Sequence, residues 1–159
     1  MSVDGDGEWI LEALLEGTLD IAHDGSYQPE VTKEVCSTAV LVRCRRTRRQ
    51  LYTAFAERSS SASSYRAEIL GALAAQLILR ASTQNVQQEY PSVPEYCDNK
   101  GVLNHGGKAE RDLKEKQAQF DVLHVMKGLV VDSPVHSDFR WVEGHSVKKK
   151  GRKIAPSQN

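Results

Sequence analysis

The stretch "YRAEILGALAAQLILRAS", residues 65–82, constrains the fold more than any other part of this chain. Ala67, Leu70, Ala74, Leu77 and Ile78 recur at helical spacing, and the opposite face, with Gly71, Ala72, Ala75 and Leu79, is also apolar or small. Such a helix cannot lie on a surface with one side in water. It needs neighbours on more than one side and belongs at the centre of a fold. The polar run "SSSASS" just before it supplies several N-caps.

The flanking segments supply those neighbours. "TLDIAHD" reads as a strand stopped by the loop "GSYQPE", and "CSTAVLVRC" as a second, alternating strand. "QLYTAFAER" is a third, with Leu51, Thr53 and Phe55 on one face and Tyr52, Ala54 and Ala56 on the other. The arginine-rich "RRTRR" fits a hairpin between them. After the helix come a short strand in "VPEYCD", a brief helix or turn in "NKGVLNHGG" and the charged, mobile-looking segment "GKAERDLKEKQ". A second amphipathic helix follows in "AQFDVLHVMKGLVV", its stripe formed by Phe120, Leu123, Met126 and Val130, and "FRWV" is the last strand. Three sequential strands able to form an antiparallel meander, then alternating helices and strands, predict an α/β fold: a mixed sheet with helices packed on it.

A chain of 159 residues is one domain. Residues 1–17 read as a leader with a short helix, on which Trp9, Ile10, Ala13 and Leu14 fall at helical spacing; residues 18–147 form the domain and residues 148–159 a basic tail. No apolar run approaches the roughly 20 residues that span a bilayer, so no membrane partner is expected. The acidic N-terminus has the character of neither a signal nor a transit peptide. Cys36, Cys44 and Cys97 are odd in number with no CxxC spacing, which argues against a zinc site or a disulfide framework. A reducing, intracellular compartment, cytoplasm or nucleus, is the better expectation. The formal charge is zero, but Arg43, Arg45, Arg46, Arg48 and Arg49 cluster, as do Lys148, Lys149, Lys150, Arg152 and Lys153. These clusters fit phosphate contacts as well as they fit a solvated turn and tail.

Three acids sit where this element order would bring them together: Asp24 at the end of the first strand, Glu68 early in the long helix, and Asp98 at the end of the fourth strand. Oxygen clusters of this kind suit hard divalent cations. Each has a structural alternative: Asp24-Gly25 is a turn dipeptide, Glu68 complements a helix N-terminus, and Asp98-Asn99 can cap the next helix.

"IAHDGSY", "SSYRAEILGALAAQLIL", "YCDN" and "FRWVEGH", in this order, resemble the ribonuclease H domains attached to retroelement reverse transcriptases. The likeness covers roughly residues 18–147. It implies a five-stranded mixed sheet with strands one to three antiparallel, and hydrolysis of the RNA strand of RNA–DNA hybrids with Mg²⁺, two ions in the intact family site, or Mn²⁺. Asp24, Glu68 and Asp98 match metal-binding carboxylates, and His145 matches a loop histidine that assists proton transfer and product release. Gly25, Ser26, Ser64, Tyr65 and Asn99 match substrate-binding positions, with Ser64 compatible with a 2′-OH contact. An upstream reverse-transcriptase domain is the implied neighbour. Ser26, where proofreading-type exonucleases carry a second acid, argues against that relative; the early position of Glu68 argues against transposases and integrases.

The chain also departs from the family pattern. "SVKKKGRKIAPSQN" offers neither the fourth carboxylate nor the final C-terminal helix that carries it, which reads as truncation in preference to degeneration and predicts weak or absent catalysis. The segment "GGKAERDLKEKQ" lacks the aromatic of the basic protrusion with which some relatives grip the hybrid. Two functions follow: an endoribonuclease impaired by loss of that acid, or a non-catalytic nucleic-acid-binding module of the same fold.

Overall fold

The structure, a computed structural model, describes residues 1–84, 88–114 and 116–143. Its elements, in chain order, are β1 (Ser2–Val3), α1 (Trp9–Leu15), β2 (Leu19–Tyr27), β3 (Val35–Cys44), β4 (Gln50–Arg58), α2 (Ser64–Thr83), β5 (Val93–Cys97), α3 (Lys100–Gly106), α4 (Phe120–Val131) and β6 (Ser137–Trp141). They form one mixed sheet in the order β1-β4-β3-β2-β5-β6. β2, β3 and β4 make the expected antiparallel meander, and β5 and β6 join in parallel. The sheet therefore has six strands where the resemblance implied five. The extra one is β1, which pairs Val3 with Leu51 and Ser2 with Tyr52. Two residues carry no readable alternation, so this strand leaves no signature in the sequence.

The face of the sheet that bears Ile21, His23, Val40 and Val42 is covered by α2. Ser63 caps that helix, its side chain accepting from the Arg66 N–H at 3.0 Å. The doubly apolar sequence of α2 has a direct structural reason. Its C-terminal half shares a core with β2, β3 and α1 through Ala75 and Leu79. Its N-terminal half is sandwiched between the sheet and α4, with Ala67, Ile69, Leu70 and Ala72 against Val122, Leu123 and Met126. Beyond the reach of α4 the outer stripe is released: Leu77, expected to be packed, is 51% exposed.

Residues 1–17 are packed against the rest. Trp9, Ile10, Ala13 and Leu14 are all buried in the cluster that contains Leu19, Ile21 and Val42. The charged connection before α4 is also tied down, because the buried Lys127 ammonium donates to the carbonyls of Lys108 and Arg111. Gln119 opens α4 at φ 62°, and its carboxamide bridges to Arg66 and to the Ser61 carbonyl on the approach to α2. Among the described residues no helix is long and apolar enough to cross a membrane.

Candidate metal centre

Asp24 does not end its strand. β2 continues to Tyr27, pairing Asp24 with Ala39, Gly25 with Thr38 and Ser26 with Ser37. The Asp-Gly pair, which reads locally as a turn, serves a close approach instead. A Cβ on Gly25 would lie 2.6 Å from the Glu68 nitrogen and 2.7 Å from the Ala67 carbonyl carbon. Only glycine lets α2 settle this near β2. The Thr38 hydroxyl fixes the same spot, donating to the Asp24 carbonyl at 3.0 Å. Gly25→Ala is therefore expected to push α2 off the strand, at about 1–3 kcal/mol for an overpacked contact, and to weaken Mn²⁺ binding. Urea unfolding and Mn²⁺ titration of the same sample check both effects.

That approach gathers the acids. Carboxylate oxygens of Asp24, Glu68 and Asp98 lie within 4.8 Å of one another. Asp24 is exposed, Asp98 half-buried and Glu68 buried. Asp98 follows β5 directly and is held from behind by β6: the Trp141 indole N–H donates to the Asp98 carbonyl at 3.1 Å. The Lys100 ammonium sits 5.2 Å from the centre of the Trp141 ring. Burial pushes the Glu68 carboxyl above its ordinary value, and the charges of Asp98 and Asp24 push the same way. A hydrogen bond from the Gly25 backbone and the proximity of His23 oppose them. Three oxygen donors from three elements, one of them destabilised as an anion, are the kind of donor set a hard divalent cation takes.

The remaining sequence-derived positions are less uniform. Ser26 and Ser64 are exposed. Tyr65 is half-buried, with its ring over Gly101, where an added Cβ would lie 3.0 Å from it. The Asn99 side-chain oxygen caps α3, accepting from the N–H groups of Gly101 and Val102 at 2.9 and 3.2 Å. His145 and the basic residues from Lys148 onward lie outside the described residues. The hairpin arginines are largely committed to structure: Arg43 pairs with Asp20, Arg46 with Glu16, and Arg45 binds the carbonyls of Gly17 and Thr18.

Two groups went unread in the sequence. One is a polar chain inside the core, where His23 Nε2 lies 3.3 Å from Glu95 Oε1 and Gln76 Nε2 donates to Glu95 at 2.7 Å and to Ser137 at 2.9 Å. The other is Arg66, which forks onto Glu57 and reaches Asp121. The one available signal was polar residues standing at positions whose period-mates are apolar, such as His23 two places after Ile21.

No protein-family model matches the chain, and no curated protein matches it in sequence. Solved structures do match. A crystal structure of LC11-RNase H1 in complex with RNA/DNA hybrid superimposes with a TM-score of 0.62 at 9% identity, covering 79% of this chain and 86% of that one. The N-terminal ribonuclease H domain of a Mycobacterium tuberculosis protein gives 0.57 at 14% identity, covering 79% and 82%. The prototype foamy virus protease–reverse transcriptase gives 0.55 at 10% identity, covering 83% of this chain and 18% of the viral one. Identities this low speak to architecture alone, and the architecture is the ribonuclease H fold.

Proposed function

We propose that this chain is a divalent-cation-dependent endoribonuclease that hydrolyses the RNA strand of RNA–DNA hybrids. The observation that carries the reading is the convergence of Asp24, Glu68 and Asp98, from β2, α2 and the end of β5, within 4.8 Å. These carboxylates would hold Mg²⁺, or Mn²⁺ in its place. The bound cation supplies an activated water and neutralises charge building on the phosphodiester. Gly25 keeps the helix near enough to the strand for Glu68 to join Asp24. Trp141 positions Asp98 through its backbone. Ser26 shares the strand face of Asp24, and Ser64 opens the helix that carries Glu68; both are exposed hydroxyls suited to the minor groove of a hybrid, where a 2′-OH distinguishes RNA from DNA. Tyr65 and Asn99 line the same region, and the Asn99 amide nitrogen, which has no partner among the described residues, would donate to the hybrid. His145 would carry protons to the leaving 3′-oxygen, which departs as an alcohol.

The catalytic unit is assigned to residues 18–147, braced by residues 1–17, with the basic residues 148–159 adding phosphate contacts. The likeness to one segment of a viral protease–reverse transcriptase supports a retroelement polyprotein with a reverse-transcriptase domain as neighbour, and the three free cysteines suit a reducing intracellular compartment.

The test is cleavage of an end-labelled RNA annealed to DNA, in Mg²⁺ and in Mn²⁺, beside the same RNA alone. In line with an impaired site, the expected outcome is weak shortening of the RNA, only in the hybrid, abolished by Asp24→Asn and by Asp98→Asn. An intact hybrid that nevertheless binds the protein would reduce the reading to a nucleic-acid-binding module. Cleavage undiminished in both variants would discard the carboxylate site altogether.

A further inference from the structure

Glu68 faces a second set of donors on the core side of the carboxylate cluster. A ring nitrogen of His23, the Cys97 sulfur and a Glu68 oxygen lie within 4.8 Å of one another, and all three residues are buried. Cys97 Sγ is 3.6 Å from Glu68 Oε2. The parallel register of β2 and β5, with Ala22 opposite Tyr96, sets His23 and Cys97 side by side. Gly71 leaves the room, since a Cβ there would come within 2.9 Å of His23 Nδ1.

The histidine supplies an independent observation. Its side chain is fully buried, yet among the described residues neither ring nitrogen finds a hydrogen-bond partner. Nε2 stands at ion-pair distance from Glu95 but without hydrogen-bond alignment. Nδ1 is thus a buried polar atom left without a partner among the described residues; such atoms are costly and call for an explanation, and an ion is one of them.

We propose that His23, Glu68 and Cys97 form a binding site for a thiophilic divalent cation, Zn²⁺ by its chemistry, which shares Glu68 with the oxygen-only cluster. Imidazole, thiolate and carboxylate are the donors zinc takes, and three protein ligands leave the fourth position to water. Mg²⁺, which prefers oxygen, is excluded by the same set. The thiol releases its proton to solvent on coordination. Thiolate and carboxylate then cancel the two charges of the ion, a balance that suits burial. Glu95, anchored by Gln76, stands behind His23 as carboxylates stand behind zinc-ligating imidazoles. The cysteine spacing argued against a sequence-encoded zinc motif, and none is needed: the donors come from three separate elements. The site stands whether or not the chain cleaves hybrids. Its consequence for a hard cation is competition, because one carboxylate serves both positions.

Co²⁺ is the probe, added to the full chain in the absence of other divalent ions. The expected result is a thiolate-to-cobalt charge-transfer band that saturates at one equivalent and is displaced by Zn²⁺. The band is lost in Cys97→Ser and retained in Asp24→Asn and Asp98→Asn. X-ray absorption of the Zn²⁺-loaded wild-type chain, which needs no variant to fold, is expected to show one sulfur and an imidazole around the ion. A shell of oxygen alone, or no charge-transfer band, overturns the proposal. So does a band that survives Cys97→Ser and vanishes with Cys36→Ser or Cys44→Ser.

Discussion

Glu68→Gln is expected to remove hybrid cleavage while making the cation-free protein more stable. Both effects come from one placement. Glu68 is only 5% exposed, and burial together with the neighbouring charges of Asp98 and Asp24 holds its carboxyl above the ordinary carboxylate range. A raised acid binds its proton more readily folded than unfolded. Stability from this group is therefore full below its unfolded pKa and lost as pH rises through the folded value. At neutral pH the ionised Glu68 works against folding. Glutamine keeps an acceptor for the Gly25 N–H and discards the charge. The variant should melt above wild type near pH 7 without cation, and the gap should close as acid protonates Glu68. Divalent cation reverses the order: at about 100 times its dissociation constant a ligand adds about 2.7 kcal/mol to the wild type. The variant gains little, because loss of even an outer-shell partner costs about 10–100-fold in metal affinity. Thermal melts at two pH values, with and without Mn²⁺, read all four states. A variant that melts below wild type without cation at pH 7 would show that the carboxylate is structural.

The parts of this molecule that could be read from sequence are those governed by a local period. The alternation in "CSTAVLVRC" and "QLYTAFAER" located β3 and β4, and the two-sided apolar character of residues 65–82 located the central helix. Its detailed packing was less legible, since Leu77 belongs to the stripe by spacing yet is exposed where α4 ends. Glycine was misread at Gly25 for a similar reason. A turn and a close approach both demand a missing Cβ, and only the tertiary position of Glu68 tells them apart. The carboxylates were legible as a set only through their order along the chain, each alone having an ordinary structural role. The polar core around His23, Gln76 and Glu95 was not legible at all. Its members are 53 residues apart from Gln76 back to His23, and 19 forward to Glu95, and nothing in either neighbourhood signals the pairing. Arg66 is hidden in the same way, as a charged residue in the first turn of a helix that would ordinarily be solvated.

Arg66→Met is expected to cost about 3 kcal/mol, the lower end of the range for breaking a buried ion pair. The Arg66 side chain is 6% exposed. Nε and Nη2 fork onto Glu57 at 2.5 and 2.7 Å, while Nη1 reaches Gln119 at 2.8 Å and Asp121 at 3.0 Å. One guanidinium thus joins β4, the start of α2 and the start of α4. Methionine preserves the packed stem and deletes the fork, leaving Glu57 and Asp121 without their cation. Both carboxylates can turn toward water, their side chains being 29% and 65% exposed, which places the cost at the low end. For a domain of this size that is a fall of about 10 °C in melting temperature. Arg66→Lys keeps the charge but cannot fork, and should fall between the two. The pH profile separates this account from simple loss of packing. Hydrogen bonding to Arg66 holds the Asp121 carboxyl below its ordinary value. That contribution is present above the unfolded carboxylate pKa and lost as pH falls through the folded one. The gap between wild type and Arg66→Met should therefore be full at neutral pH and narrow below about pH 4. A gap that stays constant into acid would assign the loss to packing of the arginine stem. Because Arg66 stands two places before Glu68, the variant should also loosen the presentation of that carboxylate, so Mn²⁺ affinity should fall together with the melting temperature.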